Sequence, residues 1–257
     1  MKKTKAARWR RGYRRCRQAG GLLVAFALVG LTAACSHEPA DKELRTQATS
    51  SEAESRRVRE EQKMHALIAR LAAVEGLEHL HTHLFDSCHG RQNDSIFEDD
   101  ESPYALTCSM WADAYFGARG EITGVLSRIR AAGVAAWGPQ DDEGRDLPYA
   151  AGTVTYALDY HRARGKFRDG TLMPGPALEA PGLRLDWDRP DLPLPNLIEE
   201  PAPCPETGSV IYWRCSITPE DPMTVAAART RYDTVLTLSL GHYASSAYNY
   251  FTVPRRE

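Results

Sequence analysis

The residues best equipped for chemistry are crowded into one short segment, Glu78-His79-Leu80-His81-Thr82-His83, with Asp86 and His89 just behind. Imidazole nitrogens favour zinc or copper, and a carboxylate can complete such a site. In a strand, alternation would put His79, His81 and His83 on one face. In a helix, supported by Leu77, Leu80 and Leu84, His79 and His83 would stack at i, i+4. Either geometry brings two imidazoles to one ion, so His79, His83 and His89 are the candidate metal ligands, with Asp86 as a further oxygen. The sequence requires no cofactor, and zinc is the ion this cluster suggests. Against it, no glutamate completes an HExxH arrangement, and a solvated row of histidines beside a disulfide is the simpler expectation.

Other chemistry is thinner. Glu98-Asp99-Asp100-Glu101, Asp141-Asp142-Glu143 and Asp186 with Asp188 are acidic, but none has the spaced oxygens of a calcium loop, so solvated turns are expected. Paired carboxylates would suit a glycosidase only at a separation that sequence does not give. There is no GxSxG, SxxK or glycine-rich phosphate loop. Tyr243, Tyr248, Tyr250 and Phe251 offer rings for sugar stacking, although a packed last strand with its hairpin explains them equally well.

The elements that carry these residues follow a distinctive N-terminus. Nine basic residues from Lys2 to Arg17 precede an uncharged run of 19 residues, Gln18 to Ser36. A cationic leader, a short apolar run and small residues before a cleavage point make an export signal. Leu31-Thr32-Ala33-Ala34-Cys35 resembles the lipobox of bacterial prolipoproteins, with Thr32 where that motif prefers leucine. The resemblance implies cleavage before Cys35, diacylglyceryl attachment to its sulfur, and a lipid anchor at the outer face of the cell membrane. Two alternatives stay open, ordinary cleavage after Ala34 and retention of the apolar run as an anchor. Arg14-Arg15 only hints at twin-arginine export. The remainder resembles lipoproteins of high-GC Gram-positive bacteria, a likeness that implies no activity.

The leader holds nine of the 32 basic residues and none of the 34 acidic ones, so the chain from Cys35 onward has net charge −11. That balance argues against nucleic acid as a partner and leaves a basic partner open. Cys16 lies in the leader. Beyond Cys35, Cys88, Cys108, Cys204 and Cys215 make an even set suited to an oxidising compartment. The local pairs Cys88–Cys108 and Cys204–Cys215 are expected, each adding about 3 kcal/mol by loop closure. A four-thiolate zinc site lacks its close CxxC pairs, and Cys88 beside His89 is expected to be a disulfide rather than a nucleophile.

Three parts are expected: a signal peptide over 1–34, a lipidated N-terminus and flexible tether over 35–55, and one extracytoplasmic domain over 56–257. Met64, Leu67, Ile68 and Leu71 predict a helix from Arg56, with Gly76 as its stop. Alternation predicts a strand over Tyr104–Phe116. Ile122, Val125, Leu126 and Ile129 predict a helix closed by Gly133. Val154, Tyr156, Leu158 and Tyr160 predict a strand, as do Leu183–Trp187, Val210–Ile217 and Thr234–Leu240. Asp221-Pro222 is expected to start a helix reaching Arg231, and Gly241 to turn the chain toward a last strand, Tyr248–Val253. Nine of the 16 prolines fall between Pro174 and Pro205, which reads as extended and irregular. The fold class expected is α+β, short helices on a mainly antiparallel, disulfide-stabilised sheet preceded by an N-terminal helix.

These features imply a lipid-anchored extracytoplasmic protein, most simply a non-catalytic binding or interaction module for an envelope protein or glycan. The alternative is a metal-dependent envelope hydrolase working through the His79–His89 cluster.

Overall fold

The computed structural model describes residues 39–90, 102–205, 210–241 and 249–255. The lipobox with Cys35, the leader with Cys16, the acidic run Glu98–Glu101, Tyr243 and Tyr248 lie outside the described residues. Two N-terminal helices, α1 (Asp41–Ala48) and α2 (Ser51–Ala72), lead into two long strands, β1 (Leu77–His89) and β2 (Tyr104–Ala118). Helices α3 (Ile122–Ala131) and α4 (Val154–Arg162) follow, then strands β3 (Leu178–Ala180), β4 (Leu183–Trp187) and β5 (Tyr212–Thr218). Helix α5 (Val225–Arg231) and strands β6 (Thr234–Leu240) and β7 (Asn249–Pro254) complete the α+β domain.

The strands form one antiparallel sheet in the order β3-β4-β6-β2-β1-β5, with β7 also on β2. Alternation in β2 decides its two faces. Leu106, Cys108, Met110, Ala112, Ala114 and Phe116 are all buried beneath the helices, with Met64, Ile68 and Leu71 of α2 and Val125, Leu126 and Ile129 of α3 in the same core. On the opposite face, α5 packs Val225 and Ala228 against Leu80, Tyr115 and Val235. Both expected disulfides are present: Cys88–Cys108 joins directly paired residues of β1 and β2, and Cys204–Cys215 joins the proline-rich segment to β5.

Several elements differ from their sequence reading. The stretch expected as a tether is helical from Asp41, and Leu44, Ala48 and Ala53 are buried, while Ser50 caps α2 by accepting the Ala53 N–H. Small alanines and one leucine suffice to seat a segment whose other residues are polar. The strand expected at Val154–Tyr160 is α4, capped by Thr153, whose hydroxyl accepts the Tyr156 N–H at 3.1 Å. Its misleading alternation arises because two sides are buried: Val154 and Ala157 face the main core, while Tyr156 and Tyr160 pack on Met173. Helix α5 starts at Val225, capped by Thr224 rather than by Asp221. The last strand forms no hairpin with β6. Both lie along one edge of β2, β6 beside Ala112–Ala118 and β7 beside Tyr104–Ser109.

Gly117 is required by this packing, because a Cβ there would overlap the ring of Tyr232. Gly117→Ala is expected to cost about 1–3 kcal/mol through overpacking, read as a lowered thermal midpoint. An unchanged midpoint would mean that the Tyr232 ring does not rest on β2.

Candidate functional site

The histidine segment is a strand, but a register shift between His79 and His81 divides it. An extra residue in one strand re-aims the side chains around it. His79 therefore pairs with Phe116 and lies on the helix-covered face, where its Nε2 meets Thr82 Oγ1 at 2.9 Å. His81 and His83 pair with Tyr115 and Asp113 on the opposite face. His89 shares the face of His83, but six strand residues separate them by roughly 20 Å, and its Nε2 meets Ser87 Oγ at 3.0 Å. The three candidate ligands His79, His83 and His89 are thus not brought to one ion. Asp86 is also directed elsewhere, into the core between α2 and the sheet.

What the register does assemble is two polar rows across four neighbouring strands. One runs Arg184 (β4), Ser239 (β6), Asp113 (β2), His83 (β1), and the next runs Asp186, Thr237, Tyr115, His81 in the same strand order. Neighbouring strands sit about 4.8 Å apart, so these side chains adjoin. Beside them the segment 196–200 walls a groove of about 460 Å³, lined by Asp113, Tyr115, Asp186, Glu199, Glu200 and Thr237 among others. That wall is fixed by Asp188, which accepts the Ile198 N–H at 2.6 Å and a bidentate pair from Arg229 at 2.8 and 2.9 Å. Glu200 in turn accepts the first N–H groups of α5, from Val225 and Ala226.

The lining is acidic: four carboxylates face one lining guanidinium, that of Arg184. Arg184 Nη2 lies 3.5 Å from Asp186, and the buried Arg189 donates to the same carboxylate at 2.9 Å. Thr237 is 9% exposed and its hydroxyl has no partner among the described residues. Tyr115 stacks on His81 with ring centroids 4.3 Å apart. Burial, with the charges of Asp113 and Glu200, pushes the Tyr115 phenol above its ordinary pKa and keeps it a neutral hydroxyl. Burial lowers the pKa of His79, His81 and His83, so these rings favour their neutral forms.

The hydroxyl–carboxylate–imidazole combination here is not a hydrolytic triad. Ser239 donates its proton to Asp113 Oδ1 at 2.6 Å, whereas a nucleophile must give it to the imidazole. His83 Nε2 is turned the other way, 3.1 Å from Cys215 Sγ and 3.3 Å from Cys204 Sγ.

A second polar centre lies under the helices. Arg57 Nε of α2 pairs with Asp86 Oδ2 at 2.6 Å, and Tyr250 donates its hydroxyl to Asp86 Oδ1 at 2.6 Å. The guanidinium lies over the Tyr212 ring and donates to the Ala48 carbonyl, closing α1 onto α2. No solvent reaches Asp86, so this centre holds elements together.

Of the acidic candidates, Asp141 closes its own turn by accepting the N–H groups of Glu143 and Arg145, and Asp186 and Asp188 are occupied by arginines. Tyr250 and Phe251 are core residues of β7. Sequence reasoning missed Thr237, Ser239, Arg184 and Tyr115, which look like ordinary strand residues until the pairing of β4, β6 and β2 is known. Comparison with known protein families, curated proteins and solved structures returned no match.

Proposed function

We propose that this chain is a lipid-anchored extracytoplasmic protein whose domain is a non-catalytic binding module for a positively charged group of an envelope protein or glycan. The observation carrying this reading is the carboxylate excess of the groove on the sheet face, which Asp113, Asp186, Glu199 and Glu200 line with Tyr115 and one arginine, while Arg184 and the buried Arg189 both bind Asp186. Its size falls in the range of small-ligand sites, and an acidic wall of low dielectric attracts cations. Ser239 spends its proton on Asp113, which supports binding over acyl transfer. The two disulfides suit an oxidising compartment, and the lipobox-like Cys35 supplies the anchor.

Two measurements test the two halves. Growth with labelled palmitate is expected to label the chain and to leave Cys35→Ala unlabelled; label surviving in that variant removes the anchor. The purified domain is expected to bind a lysine-rich decapeptide saturably, more weakly as salt rises, and to ignore the matching glutamate decapeptide. Glu199→Gln, which changes charge without touching an internal bond shown here, is expected to weaken that binding. Equal binding of both peptides, or none of the basic one, defeats the cationic-ligand reading.

A further inference from the structure

We infer that His83, Cys204 and Cys215 form a zinc site that is closed while the two cysteines are joined and opened when a dithiol reduces them. The inference does not depend on the cationic-ligand reading. It rests on the approach of His83 Nε2 to the bonded sulfurs of Cys204 and Cys215, at 3.3 and 3.1 Å, which puts three ligand atoms within 4.8 Å of one another.

Two of the three ligands are placed by the sheet. In the β1–β5 register His83 faces Ile217 and Phe85 faces Cys215, which makes His83 and Cys215 diagonal neighbours on one face. Such diagonal pairs are within side-chain reach, and both strands are held by backbone bonds along the ladder. His83 is 2% exposed with its Nε2 already directed at the sulfurs. Cys204 arrives from outside any strand or helix, between Pro203 and Pro205. It is the ligand not held by the sheet ladder, and reduction must let its sulfur move, because two thiolates at about 2.3 Å from zinc stand further apart than bonded sulfurs.

The support behind the imidazole also fits. Asp113 is the residue directly opposite His83 on β2, and its charge acts on that ring. Metal-bound histidines commonly donate their other ring N–H to a carboxylate, the part Asp113 would take here. With two sulfurs and one nitrogen from the protein, a water would take the fourth position of a tetrahedral ion.

The chemistry balances. A dithiol gives two electrons and two protons: the Cys204–Cys215 bond breaks, a disulfide forms in the reductant, and two cysteine thiols result. Zinc then displaces one proton from each thiol, forms two Zn–S bonds and takes the His83 Nε2 lone pair. The other disulfide stays out of this exchange, since Cys88 and Cys108 are fully buried whereas Cys204 and Cys215 are partly exposed.

Cobalt(II) titration of the full domain made without a polyhistidine tag tests the site. Under a phosphine reductant, one equivalent is expected to give thiolate-to-cobalt absorption that zinc abolishes; the unreduced protein is expected to give none. His83→Gln is expected to lose the signal, and Asp113→Asn to weaken zinc affinity about tenfold. Should a variant fold poorly, alkylation of the reduced wild-type protein reads the same point: zinc is expected to slow labelling of Cys204 and Cys215 together. Reduced protein that binds no cobalt, cobalt absorption independent of His83, or thiols that zinc leaves unprotected would each overturn the inference.

Discussion

Asp86→Ala is expected to lower the unfolding free energy by about 3–5 kcal/mol, the usual result of removing one partner from a buried ion pair. The residue that makes it costly is Arg57. Its side chain is 2% exposed, and its guanidinium lies 2.6 Å from a carboxylate that no solvent reaches. Burial opposes the charge on Arg57, and it takes the Asp86 carboxylate together with Tyr250, Tyr212 and Glu54 to hold the guanidinium above its ordinary pKa. Without Asp86 the buried guanidinium would keep only Glu54, a largely solvent-exposed carboxylate, as its anion. Tyr250 would lose its acceptor in the same step. The damage should spread to α1, because Arg57 also donates to the Ala48 carbonyl at the end of that helix. Urea unfolding at neutral pH measures the loss.

A double replacement separates charge from packing. Arg57→Met with Asp86→Leu removes both charges while keeping bulk, and buried pairs replaced in this way commonly recover most of their stability. The double variant is therefore expected to be more stable than either single one. If the Asp86→Ala variant loses less than about 1 kcal/mol, the pair is no more than an exposed contact in energy.

How far these residues could be seen in the sequence follows from how local their causes are. The periods that built α2, α3 and β2 lie within single segments, so Ile68, Leu126 and Met110 stand where their spacing puts them. The disulfides were legible because each closes a short loop. Helix α4 was not, because burial on two sides copies the two-residue period of a strand. The N-terminal helical stretch was not, because its buried residues are few and small. In the histidine segment alternation is visible, but nothing in Glu78-His79-Leu80-His81 marks the register shift that sends His79 and His83 to opposite faces. The two polar rows need the register of four strands taken from distant parts of the chain. Asp86 carries the same lesson: beside His83 and His89 it looks like a ligand, and only the docking of α2 makes it the counter-ion of Arg57.

Acid is expected to destabilise the domain as pH falls below about 6.5, the ordinary histidine pKa, and His161 supplies a large share. Trp187 Nε1–H donates to His161 Nε2 at 3.1 Å, so that nitrogen must carry a lone pair and the ring must be neutral. Burial, helped by the positive charge of Arg189, pushes the His161 pKa down to about 4. An unfolded histidine takes up its proton near pH 6.5, so between that value and about 4 the unfolded chain binds a proton that the folded chain refuses. This contribution, about 3 kcal/mol, is full above pH 6.5 and is lost as pH falls toward 4. His79, His81 and His83, lowered by burial, add losses of the same sign. Asp86 works in the opposite sense, because burial raises its pKa against the pull of Tyr250, Arg57 and Arg214 and the folded state protonates it more readily than the unfolded one. The Asp86 contribution is therefore opposite in sign to that of the histidines. His161→Gln keeps an acceptor for the indole and removes the proton. Urea midpoints measured at pH 7 and pH 4.5 should fall steeply for the wild type and less for this variant. Equal falls in both would mean that His161 meets solvent and titrates alike in the two states.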